Sequence, residues 1–121
     1  MSNHSEAWPI DMTILTQTAG RKAHRLLPEL IPIFLEDGDL LVSQMGQALQ
    51  TGDAGQLRQA AHRLQGNSAS LGVMTVAQLS AGLENLGKDG DLATAVQTFD
   101  LLSEEYKNIK AALLKLIHQT K

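Results

Sequence analysis

The sequence predicts an all-α protein, an antiparallel up-down-up-down four-helix bundle with a short additional N-terminal helix. Apolar residues recur at helical spacing in four long segments, and only short turns separate these segments, so consecutive helices should run antiparallel. The composition agrees with this prediction. Leu, Ala and Gln are abundant, β-branched runs are scarce, and aromatic residues make up only 3% of the chain.

Length and composition exclude several classes of protein. The chain has 121 residues, of which 43% are hydrophobic, which is enough for one domain with its own core. A net charge of −3 without a basic stripe argues against nucleic acid as a partner. The absence of cysteine excludes disulfides and thiolate metal sites. No run approaches the ~18 apolar residues of a membrane span, and no signal-peptide pattern is present, so we expect a soluble, cytoplasmic protein with no membrane partner.

The chain divides into a tail and one domain. Residues 1–9 are polar and predict a flexible N-terminal tail, whereas residues 10–121 predict the bundle domain. Asp11 is a plausible N-cap for the short first helix, which Gly20 would end. Whether the chain is a free-standing protein or a domain excised from a hybrid kinase stays open, although Met1 and the short tail suit an independent shuttle.

The longest periodic segment runs from Ala23 to Gln50. Pro28 and Pro32 interrupt its beginning, because each removes a backbone donor and crowds the preceding turn. Either the helix starts near Pro28 with a kink at Pro32, or its first turns are irregular. We therefore expect one long helix with a disturbed N-terminal third, and a further weak point at Gly38.

The remaining boundaries follow from caps and glycines. Asp53 should cap a helix from Ala54 to about Leu71 that Gly72 closes. The next helix is predicted from Thr75, itself a possible cap, to about Gly87, followed by a loop over 87–90 and a last helix from Asp91 to about His118. Nine residues of the last helix are expected to face inward: Leu92, Val96, Phe99, Leu102, Tyr106, Ile109, Leu113, Leu116 and Ile117.

The helix over 54–71 carries the most informative pattern. His62 points ~140° away from the small and apolar stripe that a core would bury. Gly66 follows one turn later on the same outer side, and Ala69 is nearly in line with it. The stripe consists of Leu57, Ala60, Ala61, Leu64, Ser68 and Leu71. The pattern therefore predicts a solvent-exposed imidazole beside a surface reduced to Gly and Ala.

A glycine inside a helix costs about 1 kcal/mol relative to alanine, so Gly66 needs an explanation. One explanation is simple tolerance, because surface helices do contain occasional glycines. The other is close approach, since a missing side chain lets a second protein reach the neighbouring His62.

These residues resemble the histidine-containing phosphotransfer (HPt) domains of multistep phosphorelays. The family pattern has a histidine, a hydrophobic residue two later, usually lysine at three, glycine at four, a small residue at six and glycine at ten. It is matched by His62, Leu64, Gly66, Ser68 and Gly72, whereas Gln65 stands where lysine is usual. Further segments that resemble the family are Phe34-Leu35-Glu36-Asp37, Gln50-Thr51-Gly52-Asp53 and the leucine-rich run from Leu79 to Leu86.

The resemblance implies a function. His62 would accept a phosphoryl group from an aspartyl phosphate on the receiver domain of a response regulator and pass it to another receiver. A hybrid sensor kinase and response regulators would be the partners, and Mg²⁺ would belong to the receiver, so no cofactor is expected in this chain. Imidazole titrates near neutral pH, so much of it is available as a nucleophile. No ATP-binding glycine loop is present, which predicts a carrier without autokinase activity rather than an enzyme.

Other residues on this helix are candidates for supporting roles. Gln65 donates hydrogen bonds but carries no charge, so Arg58, one turn before His62, Arg63 beside it, or an arginine or lysine of the partner could neutralise the phosphoryl oxygens. Of the two arginines Arg58 is the better candidate by angle, because it lies ~40° from His62 on the helical wheel. Both arginines could equally be an ordinary solvated face. The docking surface should centre on the exposed side from Arg58 to Ala69, including Gln59, with the short first helix and part of the long helix around it. Such a patch should be modest and not obviously hydrophobic, and the open face suggests a monomer.

Two alternatives come from other classes of protein. A helical adaptor with the same bundle would bind a receiver or kinase without phosphoryl transfer, but it would not need both His62 and Gly66. A metal-binding or cofactor-binding bundle needs several ligands that face inward, whereas the inward positions here are Leu, Val, Ile and Ala.

Overall fold

Five α-helices make up the part of the fold that the structure describes. The computed structural model describes residues 9–20 and 22–119, and no β-strand occurs in this part of the chain. The helices are α1 (Met12–Ala19), α2 (Ala23–Thr51), α3 (Ala54–Leu71), α4 (Met74–Asp89) and α5 (Leu92–Gln119). The four long helices pack as neighbours, α2 on α3, α3 on α4 and α5 against both α4 and α2, while α1 lies on α3 and α2. The predicted four-helix bundle with a short first helix is confirmed.

The short helix α1 is attached firmly to one end of α3. Asp11 caps α1, because its Oδ1 accepts hydrogen bonds from the backbone of Thr13 and Ile14 at 3.0 and 3.3 Å. The Asp11 N–H donates to the Gly72 carbonyl at 2.7 Å, and Ile10 is buried in the core. Gly72 adopts φ +87°, and a Cβ there would lie 2.6 Å from the Asp11 carbonyl oxygen, so only glycine fits. Residues 1–8 of the predicted tail lie outside the described residues.

The long helix α2 begins at Ala23 and continues through both Pro28 and Pro32. A start near Pro28, one of the two possibilities that the prolines raised, is therefore wrong. Each proline still removes one N–H donor from the helix ladder, but the helix is continuous through both positions. Gly38 has a packing role instead of being a weak point, because a Cβ there would lie 2.5 Å from the Tyr106 hydroxyl of α5.

The core is mainly aliphatic, in keeping with the low aromatic content of the chain. Its largest fully buried side chains come from all five helices and from the turn before α4: Leu15, Leu27, Ile31, Leu41, Met45, Leu57, Leu64, Leu83, Leu102, Leu113, Val73 and Val76. The inward position predicted for Val96 is wrong, since Val96 is 46% exposed and the neighbouring Ala95 is buried instead. The smaller side chain lets the start of α5 approach the bundle more closely.

Helix α4 is longer than predicted at both ends. It begins at Met74 after Val73, which makes no side-chain capping bond, so Thr75 is not the cap. It also continues through Gly87 to Asp89 and ends at Gly90, so the loop predicted over 87–90 is largely helical. A Cβ at Gly87 would lie 3.1 Å from two backbone atoms of α3, the Ala54 carbonyl oxygen and the Arg58 amide nitrogen. Gly87 therefore allows α4 to pack closely against α3 and does not end the helix.

A polar cluster joins α5 to α2 beside Gly38. The Tyr106 hydroxyl lies 3.1 Å from the Leu35 carbonyl oxygen and 2.8 Å from Asp39 Oδ1, and Lys110 Nζ donates to Asp39 Oδ2 at 2.8 Å. Burial, followed by the adjacent Asp39, raises the pKa of Tyr106. Burial also raises the pKa of Asp39, but hydrogen bonds from Lys110 and Tyr106 outweigh it, so the net pKa is lowered.

Replacing Asp39 with asparagine should weaken the bundle at neutral pH but not in acid. A carboxyl whose pKa is lowered by folding stabilises the protein above its unfolded pKa, about 3.9, and that contribution is lost as the pH falls through the folded value. Urea unfolding from about pH 7 to about pH 2 should show the wild type and Asp39→Asn converging below about pH 4. A constant difference across this range would contradict the role of Asp39.

Candidate functional site

His62 lies in the middle of α3 on the face opposite the core, and its side chain is 70% exposed. The residues buried on α3 are the six predicted for its inner stripe. Gly66, one turn later, is exposed, and a Cβ placed there would meet nothing within 4 Å. Packing inside this protein therefore does not require glycine at that position. The predicted arrangement of an open imidazole beside a bare helix surface is confirmed.

Glu84 of α4 forms a hydrogen bond with one nitrogen of the His62 ring. The distance from His62 Nδ1 to Glu84 Oε2 is 2.9 Å, and the Glu84 side chain is 27% exposed. An ionised carboxylate only accepts hydrogen bonds, so this contact assigns a proton to Nδ1. In neutral imidazole the other nitrogen, Nε2, then keeps its lone pair, and it makes no hydrogen bond within the described part of the chain. The contact therefore leaves the Nε2 lone pair open on the exposed side of α3.

Arg63 faces the opposite side of α3 from Glu84. Its Nη2 donates to both carboxylate oxygens of Asp37 on α2, at 3.0 and 3.1 Å, and Asn67 Nδ2 also donates to Asp37. The predicted supporting residue Arg63 is thus already paired and links α3 to α2. Asp37 belongs to the Phe34-Leu35-Glu36-Asp37 segment, so that segment positions the histidine helix from the side.

The other predicted site residues lie on the same outer side of α3 as His62. Arg58 and Gln59 are exposed, whereas Gln65 and Ala69 are half-buried. Within residues 9–20 and 22–119, Arg58 makes no ion pair. Because Cα–Cβ bonds tilt toward the helix N-terminus, Gln65 leans toward His62 and Arg58 leans away from it. This tilt favours Gln65, whereas the angle on the helical wheel favours Arg58.

An apolar groove opens on the α2 side of the histidine helix, between α1, α2 and α3. Its volume is about 530 Å³. Two of its side chains are large, apolar and exposed: Ile33 is 67% exposed and Leu40 is 52% exposed. The lining residues are Leu15, Leu30, Ile33, Phe34, Glu36, Asp37, Leu40, Asn67, Ser70 and Leu71. A hydrophobic surface therefore borders α3 on this side, while the character of the docking patch stays a prediction.

In the part of the chain that the structure describes, no three His, Asp or Glu side chains are grouped as ligands for a metal ion. Among the same residues, no helix is both long and apolar enough to cross a membrane.

Similarity to known proteins agrees with this geometry. The family model described as "Hpt domain" matches residues 29–112, which include His62, Glu84 and most of the bundle. The crystal structure of histidine-containing phosphotransfer protein B (HptB) from Pseudomonas aeruginosa PAO1 superimposes with a TM-score of 0.80. It is 23% identical in sequence, and the match covers 93% of this chain and 97% of that one. No curated protein sequence matches. The chain belongs to the Hpt domain family.

Proposed function

We propose that this protein carries a phosphoryl group on His62 between aspartyl-phosphate receiver domains in a multistep phosphorelay. Hpt-domain proteins are phosphocarriers of phosphorelays, where they interact with receiver domains and kinases. One observation in this chain carries the assignment to His62. Its imidazole is exposed, Glu84 occupies Nδ1, and Nε2 is open beside the bare surface at Gly66.

The geometry suits nucleophilic attack by Nε2. The Nε2 lone pair forms a bond to phosphorus while the bond from phosphorus to the aspartyl oxygen breaks, and the aspartate leaves as a carboxylate. The imidazole ring then carries phosphorus on Nε2 and a proton on Nδ1, and it is positively charged. The Glu84 carboxylate, 2.9 Å from Nδ1, compensates that charge as it develops. Attack by the carboxylate of a second receiver reverses the same steps.

The partner supplies the rest of the chemistry. Phosphoryl transfer depends mainly on positioning and on neutralising the oxygens of the transferred group, for which Mg²⁺ is commonly used. We place that ion on the receiver, so this chain binds no cofactor of its own. The donor is a phosphorylated receiver rather than ATP, so the protein has no autokinase activity.

Docking of the receiver explains the open surface. A receiver has to bring its aspartate within bonding distance of Nε2, and the absent side chain at Gly66 leaves room for its backbone. The apolar groove with Ile33 and Leu40 lies next to this surface and offers hydrophobic contact area. The reactive face must stay uncovered between encounters, which favours a monomer.

Side chains placed at Gly66 should have different effects on the folding stability of the bundle and on phosphoryl transfer. Gly66→Ala should raise the free energy of unfolding by about 0.5–1 kcal/mol, because alanine is the better helix former and nothing blocks its Cβ. Gly66→Leu should slow transfer from a phosphorylated receiver by about fivefold, because the side chain displaces the partner. Gly82→Leu is the matched control, since a Cβ at Gly82 also meets nothing within 4 Å. Equal transfer by both leucine variants would contradict the docking role of Gly66.

The function itself is tested by transfer between two receivers. Purified receiver domains phosphorylated on aspartate are mixed with this protein, and acid-labile phosphate is followed by intact mass. We expect one phosphoryl group to appear on this protein and then to move to a second, unphosphorylated receiver. Binding of receivers without any transfer would overturn the proposal and favour the helical adaptor.

A further inference from the structure

The apolar groove has one end at the junction of α1 with α3. There the Asp11 N–H donates to the Gly72 carbonyl oxygen at 2.7 Å, and Ile10 is buried in the core. Leu71, directly before Gly72, belongs to the groove wall. The N-terminal segment, residues 1–8, is therefore joined to the fold through Pro9 beside this end of the groove.

Asp37 shows which parts of α2 and α3 lie at the same level along the groove. It accepts hydrogen bonds from Arg63 and Asn67, and the short turn between the two helices makes them antiparallel. Ile33, one turn before Asp37, therefore lies level with the C-terminal end of α3. Leu40, almost one turn after Asp37, lies level with the histidine in the middle of α3. The groove thus runs from the junction with α1 toward the candidate site.

The sequence places one large apolar side chain next to the near end of the groove. Trp8 is the only tryptophan of the chain, and it lies two residues before the buried Ile10. Two residues span at most about 7 Å, so Trp8 is tethered close to the groove. A side chain of this size can bury about 150–250 Å². At that end of the groove, Ile33 is 67% exposed and offers apolar contact area.

The groove also suits the polar part of an indole ring. Tryptophan donates one hydrogen bond through Nε1 and usually finds an acceptor when it is buried. Glu36 of the groove wall is exposed and, within residues 9–20 and 22–119, forms no ion pair. The Ser70 hydroxyl in the same wall offers a second acceptor.

We propose that the N-terminal segment of this chain occupies the groove, with Trp8 against Ile33 and the preceding residues directed toward Leu40. The length is sufficient, because seven extended residues span up to about 25 Å. The level of His62 lies only about 14 Å along α3 from Leu71. Most of the segment is polar, which is why its composition predicts a flexible tail, but Trp8 supplies an apolar anchor.

The tether favours the chain's own segment over a second copy of the protein. A segment joined by so short a linker has an effective concentration of about the millimolar range at its own groove. A stable dimer would instead need about 1,200–2,000 Å² of buried surface. Around the groove, the large exposed apolar side chains are Ile33 and Leu40. This pair suits one short segment better than a dimer interface.

A segment in the groove would regulate access to the neighbouring docking surface. The groove borders α3 on the side of Asp37, where the proposed function places hydrophobic contacts with a receiver domain. A receiver that uses these contacts has to displace the segment first. Occupation of the groove does not require the proposed function, whereas this competition rests on it.

Fluorescence of the single tryptophan tests the occupation in the full chain. Trp8 should emit at shorter wavelength, and resist quenching by acrylamide better, than in a peptide of residues 1–8. Ile33→Gln removes an apolar wall, and the exposure of Ile33 keeps the bundle folded. We expect the quenching constant to rise about fivefold in this variant, as for a segment that changes from about 20% free to fully free.

Leu101→Gln is the matched control. Leu101 lies on α5 outside the groove and is 63% exposed, so its replacement should leave Trp8 protected. Quenching of the wild type as strong as that of the peptide would overturn the proposal, and so would an equal increase in both variants. Protection that is lost on dilution, together with a dimer in sedimentation, would assign the groove to a second copy and also overturn it.

The competition with a receiver has its own measurement. Trp8→Ala should strengthen binding of a receiver domain about fivefold, because the groove no longer has to be vacated. Unchanged or weaker binding, with Trp8 protected in the wild type, would refute the competition. If Trp8 is protected but no receiver transfers a phosphoryl group to His62, only the proposed function fails.

Discussion

Replacing His62 with glutamine should abolish phosphoryl acceptance from a phosphorylated receiver domain while the bundle stays folded. The substitution removes the nucleophile and retains a polar side chain of similar length. Because the His62 side chain is 70% exposed, its pair with Glu84 contributes at most about 1 kcal/mol to stability. Intact mass should detect no phosphoryl group on the variant, and circular dichroism should show a thermal midpoint close to that of wild type.

His118 provides the matched control for this substitution. It is exposed in the last turn of α5, so His118→Gln removes a second surface histidine that has no part in the proposed site. We expect full transfer to His118→Gln. Transfer to His62→Gln at the wild-type rate would show that the phosphoryl group resides elsewhere in the chain.

Replacing Glu84 with alanine should slow phosphoryl acceptance by about 10- to 30-fold. In the proposed mechanism the carboxylate has two effects. It holds the proton on Nδ1, so that Nε2 is the free nitrogen, and it compensates the charge that the ring acquires as the bond to phosphorus forms. A hydrogen bond that involves a charged group is worth about 1.5–3 kcal/mol when buried, and the partial exposure of this pair places the expected loss at the lower end. Single-turnover transfer measured by rapid quench would give the rate.

A second variant separates the two effects of Glu84. Glu84→Gln keeps an oxygen that can accept from Nδ1 but removes the charge, so its rate should lie between those of wild type and Glu84→Ala. Glu104→Gln changes an exposed glutamate of α5 and should transfer at the wild-type rate. If Glu84→Ala were as fast as wild type, Glu84 would have no role in activating His62.

Local patterns were sufficient to predict the histidine helix. Its inner stripe, its exposed His62 and its boundaries at Asp53 and Gly72 all follow from helical periodicity and from cap residues. These features depend only on residues within one helix or one turn. The same reasoning placed Asp11 and Gly20 at the ends of α1.

Features that depend on contact between helices were missed. Glu84 shows no motif, although His62 and Glu84 are equally far from Val73 in the turn, and an antiparallel hairpin of helices brings such positions together. The same register explains Gly87, whose helix-breaking tendency is overridden by its contact with the α3 backbone. Sequence patterns report a residue's propensity but not what packs against it.

The apolar groove could have been suspected from α2. Ile33 and Leu40 are seven residues apart, share one face of that helix, and belong to no predicted core stripe. An apolar pair outside the core is a signal of a contact surface. What the sequence could not show is that α1 and the end of α3 complete the walls of the groove.

The most direct test of the account is to identify the atom that carries the phosphoryl group. The protein is labelled with ¹⁵N, phosphorylated by a receiver domain, and its histidine side chains are observed in ¹H–¹⁵N correlation spectra together with ³¹P spectra. We predict a single phosphoryl group on Nε2 of His62, with the proton retained on Nδ1 next to Glu84. Phosphorylation on Nδ1, or on any residue other than His62, would contradict the account.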